Sequence, residues 1–426
     1  MQLQIAEYPV SSLEWGDENK YNDGKLIINK DSILSYLKSS NELDELIVTD
    51  LDLILPETST RVINVFDVLP AYARLGEGVS NFPGFLEPFQ IAGHGNSATL
   101  SNFSILATSS RPSRYNKVMD KSGLGAEISP YGGHFHLALQ AEPRNSDMSN
   151  TEYYKHLKKI GLRIGTYLSK LAAEVRPANT LFYTLEAHPS GLPKVAYVCM
   201  LAALQNWDKG ESILYGDNLS GMLPTVLHPN EILDGAVIAP NFNLGIDTYS
   251  FLNNPVIQEL YKKHGKEIDF VGVVVCVSHV TRNQRERSIG MTANLAANVL
   301  GADLAIITKV GGGIPESDVM LTIESLERIK VKTTAIMWAH LGNGTIQDIL
   351  TAYSPAANAL VSAGINDALV NLPGQEKVIG GNEIEPLSDD PKAKPQNPHS
   401  AIQVRCREIC GVINQLGASR VALEEI

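Results

Sequence analysis

Residues 215–265 read YGDNLSGMLPTVLHPNEILDGAVIAPNFNLGIDTYSFLNNPVIQELYKKHG, and the chain changes character across them. Before this stretch the sequence is a succession of short β-branched runs. After it, apolar strands alternate with helical segments. Its centre, NFNLGIDTYSF, is irregular and bears a glycine, and a strongly patterned arm flanks it on each side. A loop clamped at both ends sits at a fixed place, which is how rigid scaffolds present functional groups.

Downstream, FVGVVVCVSHV (270–280) has the continuous apolar character of a buried strand, and ERSIGMTANLAANVLG (286–301) is a helix ended by Gly301. DLAIITKV (303–310) is a second strand, followed by GGGIP and a helix from Glu316 to Lys330. VKTTAIMWAH (331–340) is a third, and a helix-like region precedes ALVSAG (359–364) and DALVNLP (367–373). This alternation predicts βαβ units, a parallel sheet and helices on both faces.

Upstream, KLIINK, ELIVTDLDLILP and TRVINVFDVLP read as strands, and the turn residues of 80–110 suggest an antiparallel barrel or sandwich. TEYYKHLKKIGLRIGTYLSKLAAEV (151–175) is a helix capped by Ser149 or Asn150, with Leu157, Ile160, Ile164, Leu168, Leu171 and Val175 on one stripe. TLFYTLEA (180–187) and LPKVAYVCMLAALQ (192–205) follow as strands, the second apolar enough for the centre of a sheet.

The fold class is therefore mixed α/β: a β-rich N-terminal half with one long helix (1–245), then a parallel, three-layer α/β domain (246–380). Residues 381–400, rich in Pro, Asp, Lys and Asn, read as a linker or arm. The end of the chain, 401–426, reads as a C-terminal helix spanning about Ala401 to Leu416.

With 426 residues, 44% of them hydrophobic, the chain can build two cores. A net charge of −12 argues against a nucleic-acid surface. The N-terminal MQLQIAEYPV lacks the basic and apolar regions of a signal peptide, and no apolar run reaches the roughly 18 residues of a membrane span, so a cytoplasmic protein is expected. Four cysteines are too few for a disulfide framework; Cys406 and Cys410 would share one helical face as buried small residues.

Several local patterns are candidates for binding. Gly311, Gly312 and Gly313 lie between a strand and a helix, where backbone N–H groups can hold a phosphate or carboxylate, although a plain tight turn is the favoured explanation. The string GGGIPES is neither the dinucleotide fingerprint nor a P-loop, and Glu316 and Asp318 would repel an anion. His279 ends a strand and could orient a ligand. His134 and His136 stand two apart in a strand pattern, as a metal pair would, but no third ligand is evident, so no metal is expected. His228 and Asn230 read as turn chemistry before a short helix.

Together, VLHPNEILDGAV (226–237), NNPVIQELYKKHGKEIDFVGVVV (253–275) and GADLAIITKVGGGIPESDVM (301–320) resemble the component B proprotein of glycine, sarcosine and betaine reductases. LPKVAYV, FPGF and VINVFDVLP fit the same resemblance, which runs from about Lys25 to Val378 in unbroken order. It implies a precursor that cuts itself in the central loop ahead of a cysteine, leaving a pyruvoyl group that condenses with a substrate amine. It also implies a selenoprotein partner that attacks the carbon bearing nitrogen.

This sequence departs from that pattern at the decisive place, since no cysteine lies between Asp234 and Asn253. Thr248 and Ser250 are the hydroxyls on offer. Serine can form pyruvoyl by the same ester route and threonine an oxobutyryl group, but a hydroxyl is a poorer nucleophile than a thiolate and needs a dedicated base. The expectation is an intact loop without a pyruvoyl cofactor, with Asn241, Asn243, Asp247 and Ser250 as its candidate catalytic residues. The chain would act in a hetero-oligomeric, reductase-like complex with a selenoprotein-like or cysteine-bearing subunit, on a small amine or acyl-thioester. A non-catalytic scaffold for that partner, and acyl transfer to an amine without net reduction, are the alternatives.

Overall fold

The strand Lys194–Ala203 is buried from Val195 to Leu201, and the second half of the molecule is built around it. The computed structural model describes residues 1–111, 113, 116–186, 191–203, 210–240, 246–340, 345–385 and 394–420. Lys194–Ala203 pairs in parallel with Asp269–Ser278 on one side and with Leu304–Lys309 on the other. Lys332–Ala339 and Leu360–Ile365 extend the sheet in parallel, and Thr225–Leu227 adds an antiparallel edge beside Asp269–Ser278. Taken in chain order, the parallel strands lie 2-1-3-4-5 across the sheet. Such a sheet has its switch point between strands one and three, outside whose carboxyl ends ligands bind.

Side chains alternate across the central strand as a pleated backbone requires. Ala196, Val198 and Met200 pack with Ala293, Val319 and Ile323 from the helices Arg282–Asn294 and Ile314–Arg328. Tyr197, Cys199 and Leu201 face the opposite way, into a cluster with Ile257 and Leu260 of the helix Pro255–Lys263 and with the first half of the chain. The mixed α/β class with a parallel sheet stands as the sequence indicates.

The N-terminal half is neither a barrel nor a sandwich. Its main sheet is eight-stranded and mixed, built around the antiparallel pair Thr60–Leu75 and Gly95–Ser109 with Gln2–Glu7 and Phe135–Pro143 both parallel to the latter. A small three-stranded sheet (Ser12–Trp15, Lys20–Asn22, Lys25–Ile28) is separate from it. Thr60–Leu75 is buried along nearly its whole length because both of its faces are covered. The helix Asn150–Ala172 covers one of them, and its Ser149–Glu152 capping box fixes where it starts. Gly165 lets this helix come close: a Cβ there would sit 2.6 Å from the carbonyl oxygen of Pro70.

The expected boundary at residue 245 does not separate the two sheets. Lys194–Ala203 lies before it yet forms the centre of the parallel sheet, because a strand apolar on both faces needs two-sided cover. Lys377–Ile379 lies after it yet pairs with Thr60–Val62 of the first sheet. In the expected linker, Ile384 bridges Gln396.

The expected C-terminal helix is not formed. Ile402–Arg405 is a strand antiparallel to Leu369–Leu372, and a 3₁₀ turn, Cys406–Glu408, follows it. Ile402 and Val404 are buried with a period of two. From Ile409 to Leu416 the chain is buried without a stripe, and Gly411 and Gly417 turn it with φ of +73° and +91°. Cys406 and Cys410 are free and buried, but on no shared helical face. Residues 421–426 lie outside the described part. No described helix is long and apolar enough to cross a membrane.

Candidate functional site

The central loop ends in a short helix, Thr248–Leu252, whose N-cap is Asp247: its Oδ1 accepts the Ser250 N–H at 2.7 Å. Its Oδ2 accepts the Tyr131 hydroxyl at 2.7 Å. Tyr131 also lies 3.1 Å from Ser250 Oγ, which accepts the Asn414 side-chain amide at 2.8 Å. All four residues are at least 96% buried.

Thr248 is held from the other side. Its N–H and hydroxyl donate to the two oxygens of Asp67 at 2.9 and 2.7 Å, and its Oγ1 accepts the Ala239 N–H at 3.1 Å. Asp67 pairs with Lys158 at 3.3 Å, and the Lys158 ammonium also donates to the carbonyls of Ala239 and Pro240. A β-bulge makes this possible. Val65 and Asp67 oppose consecutive residues, Thr108 and Ala107, so Phe66 is the extra residue. Phe66 and Asp67 therefore both reach Lys158, whose Nζ lies 5.1 Å from the Phe66 ring centroid.

Burial and the neighbouring charge of Asp67 push the Asp247 carboxyl up to about 7, against the pull of its hydrogen bonds. Burial also raises Asp67, opposed by Lys158 and Thr248. With Asp67 paired to the Lys158 ammonium, the neighbouring charge favours the protonated form of Asp247.

Asn414 is followed by Gln415, whose side-chain oxygen accepts from Lys309 at 3.0 Å. Lys309 ends the third parallel strand and is fully buried; it donates to Gly311 O and pairs with Glu316 at 3.3 Å, over the face of Trp338. Burial pushes Lys309 down to about 8. Burial would raise Glu316, but the His340 hydrogen bond, the Lys309 charge and Thr351 outweigh it and hold the acid at about 2. One buried polar network thus runs from Lys158, through the loop helix and the C-terminal segment, to the half-exposed His340.

Of the residues singled out in the sequence, Asp247 and Ser250 lie in this network, and Asn241 and Asn243 lie outside the described residues. Gly311, Gly312 and Gly313 form the turn beside Lys309. The turn packs inward, since a Cβ on Gly312 would meet Trp338 at 2.8 Å and Glu316 Oε1 at 3.6 Å. His279 sits apart at the end of Asp269–Ser278, 8% exposed, with a buried Nε2 that has no partner among the described residues. His136 is fully buried and His134 partly so. They stack at 6.1 Å, with His136 hydrogen-bonded to Ser104 and Lys121, and burial lowers His134 to about 4. No metal-binding group of three or more His, Cys, Asp or Glu occurs among the described residues.

Asp67, Tyr131, Lys158, Lys309, Glu316 and the Asn414–Gln415 pair were not apparent from sequence. Two signals were present: an aspartate inside the apolar run VINVFDVLP, and a lysine on the buried side of an amphipathic helix. Beside Lys158 a cavity of about 170 Å³ opens, walled by the stacked rings of Phe66 and Tyr154, by Phe85 and by Ser212. At roughly 30 Å³ per water, that is room for a ligand of a few heavy atoms.

Residues 1–424 match the family model described as glycine/sarcosine/betaine reductase component B subunits. The chain is 30% identical to the glycine reductase complex component B subunits alpha and beta of Peptoclostridium acidaminophilum, over 98% of each chain. It is 28% identical to that organism's betaine reductase complex component B subunit alpha, over 92% of this chain and 90% of the relative. The sarcosine reductase complex component B subunit alpha of the same organism is 27% identical, over 89% of each. No solved structure matches the chain.

Proposed function

We propose, from the premise that this chain belongs to the glycine/sarcosine/betaine reductase component B family, that it serves uncleaved as a subunit of a reductase complex. In this reading it binds a small amine or acyl-thioester in the cavity beside Lys158. A partner subunit bearing a selenol or thiol supplies the nucleophile that the central stretch lacks. Full-length similarity to component B subunits supports the place in a complex, and the lost cysteine supports a chemistry without pyruvoyl.

The observation that carries the uncleaved reading is the engagement of both loop hydroxyls. Thr248 Oγ1 donates to Asp67 and accepts from Ala239, so an attack on the preceding carbonyl would have to break an existing contact. Both Asp67 oxygens are already engaged, with the Thr248 N–H and hydroxyl and with the Lys158 ammonium. Ser250 lies inside the loop helix, with its N–H on Asp247 and its oxygen on Asn414. The residues present therefore do not fit the family's pyruvoyl route.

What these side chains can do is hold a proton and a shape. Asp247 keeps an acid near neutral pH inside the junction, and the Asp67–Lys158 pair fixes charge at the cavity wall. Intact-mass measurement of the purified chain tests the reading. One species at 46.3 kDa is expected; two fragments, the C-terminal one blocked to Edman degradation, would overturn it.

A further inference from the structure

We propose that Lys158 is a covalent amine site, whose Nζ condenses with the carbonyl of a small 2-oxo acid held in the cavity beside it. The inference rests on the reading of that cavity as the ligand site and goes beyond it. To the amine or acyl-thioester of that reading it adds a third ligand class, a carbonyl acid, and a bond to this chain.

Lysine is rarely buried without a purpose or a partner. Lys158 is only 5% exposed, yet it forms part of the cavity wall. Its Nζ has a carboxylate at 3.3 Å, Asp67, placed to take a proton, and an aromatic face, Phe66, placed to favour a cation. Condensation leaves both partners useful. The ammonium first gives a proton to Asp67, and the free amine adds to the carbonyl carbon. The carbinolamine then loses its oxygen as water and takes up the proton again. In sum, R–NH₃⁺ and O=CR₂ become R–NH⁺=CR₂ and H₂O, with no electron gained or lost.

The product carries the same single positive charge in the same place, so Asp67 and Phe66 stabilise it as they stabilise the ammonium. It keeps one N–H in place of three. That one suffices for Asp67, and the carbonyls of Ala239 and Pro240 are released.

The choice of a 2-oxo acid comes from the same face of the long helix. Thr151, Lys155 and Lys158 recur at steps of four and three and all line the cavity. Lys155 is exposed at the rim one turn from Lys158 and has no ion pair among the described residues, which suits it to a carboxylate next to the reacting carbonyl. Glu152, also on the rim, is engaged with Ser149 in the capping box. The volume of about 170 Å³ admits a short-chain acid and excludes a nucleotide.

Borohydride trapping tests this on the full chain. The protein is incubated with pyruvate, reduced, and read by intact mass and tryptic mapping. One reduced adduct per chain is expected, on Lys158 in the wild type, lost in Lys158→Arg and kept in Lys159→Arg. Lys155→Ala is expected to lower trapping of pyruvate roughly threefold to fivefold, the worth of one exposed ion pair, and to leave trapping of acetone unchanged. No adduct, or one spread over surface lysines, overturns the proposal; the wild-type map decides this even if the Lys158 variant fails to fold. The unreduced intact mass reads cleavage separately. An uncleaved chain without an adduct refutes the amine site alone, and a cleaved chain with one refutes only the uncleaved reading.

Discussion

Asp247→Asn isolates the buried proton. The carboxyl moves from 3.8 to about 7 on folding because it is buried and faces Asp67. A raised acid pKa means that the folded state holds the proton more tightly than the unfolded chain. Its stabilising contribution is complete below about pH 4 and is lost as pH rises through about 7. At 1.36 kcal/mol per pH unit the difference amounts to on the order of 4 kcal/mol. Asparagine has no charge to bury, so this dependence disappears. Its side-chain oxygen can still accept the Ser250 N–H, while the Tyr131 hydroxyl can turn to Ser250, at a cost of about 1 kcal/mol for the bond remade less well. The variant is therefore expected to be slightly less stable than wild type near pH 4 and more stable, by about 3 kcal/mol at most, near pH 8. Urea midpoints at the two pH values measure both, with the denaturant slope checked for equality. A difference of the same sign and size at both pH values would show that Asp247 does not carry the proton.

Two further substitutions probe the packing and the junction. Gly165→Leu forces a side chain into the Pro70 backbone, 2.6 Å from where its Cβ would stand, and should destabilise the chain by about 1–3 kcal/mol or more in thermal or urea unfolding. Gln415→Ala removes an acceptor of the buried Lys309 ammonium and should cost about 1–3 kcal/mol. This loss should shrink as pH rises above 8, where Lys309 gives up its proton, and unfolding midpoints at two pH values read it.

The alternation of strands and helices in the second half was legible in sequence because apolar runs and helical segments follow one another with turn residues between them. The continuous apolar runs have the length of strands, and the helix Asn150–Ala172 carries both its cap and its stripe. The C-terminal segment misled for a physical reason. A chain buried on every side has apolar residues at all spacings, so steps of four are found in it without a helix, and the turns at Gly411 and Gly417 decide otherwise. The site was legible only at the loop helix. Its other members are scattered between residues 67 and 415, with no local pattern to join them: Asp67 stands in an apolar run, Tyr131 beside a glycine pair and Glu316 just after the glycine turn. Asp67 reaches Lys158 through a bulge that no local pattern announces.

That bulge and the C-terminal segment together explain how a mostly apolar junction tolerates so many polar groups. Unpaired, Asp67, Asp247, Lys158 and Lys309 would each cost several kcal/mol in the interior. Lys158 answers Asp67 from the long helix, and Tyr131 answers Asp247 from the first sheet. The Asn414–Gln415 pair answers Ser250 with a donor and, one residue on, Lys309 with an acceptor. The buried non-helical path from Ile409 to Leu416 is what lets two adjacent side chains reach partners in different sheets. On a helix they would point about 100° apart around one axis and could not serve both halves at once. The same path binds the loop helix to the parallel sheet. The hydroxyls of Thr248 and Ser250 are thus committed to contacts that hold the two halves together, through Asp67 and Asn414.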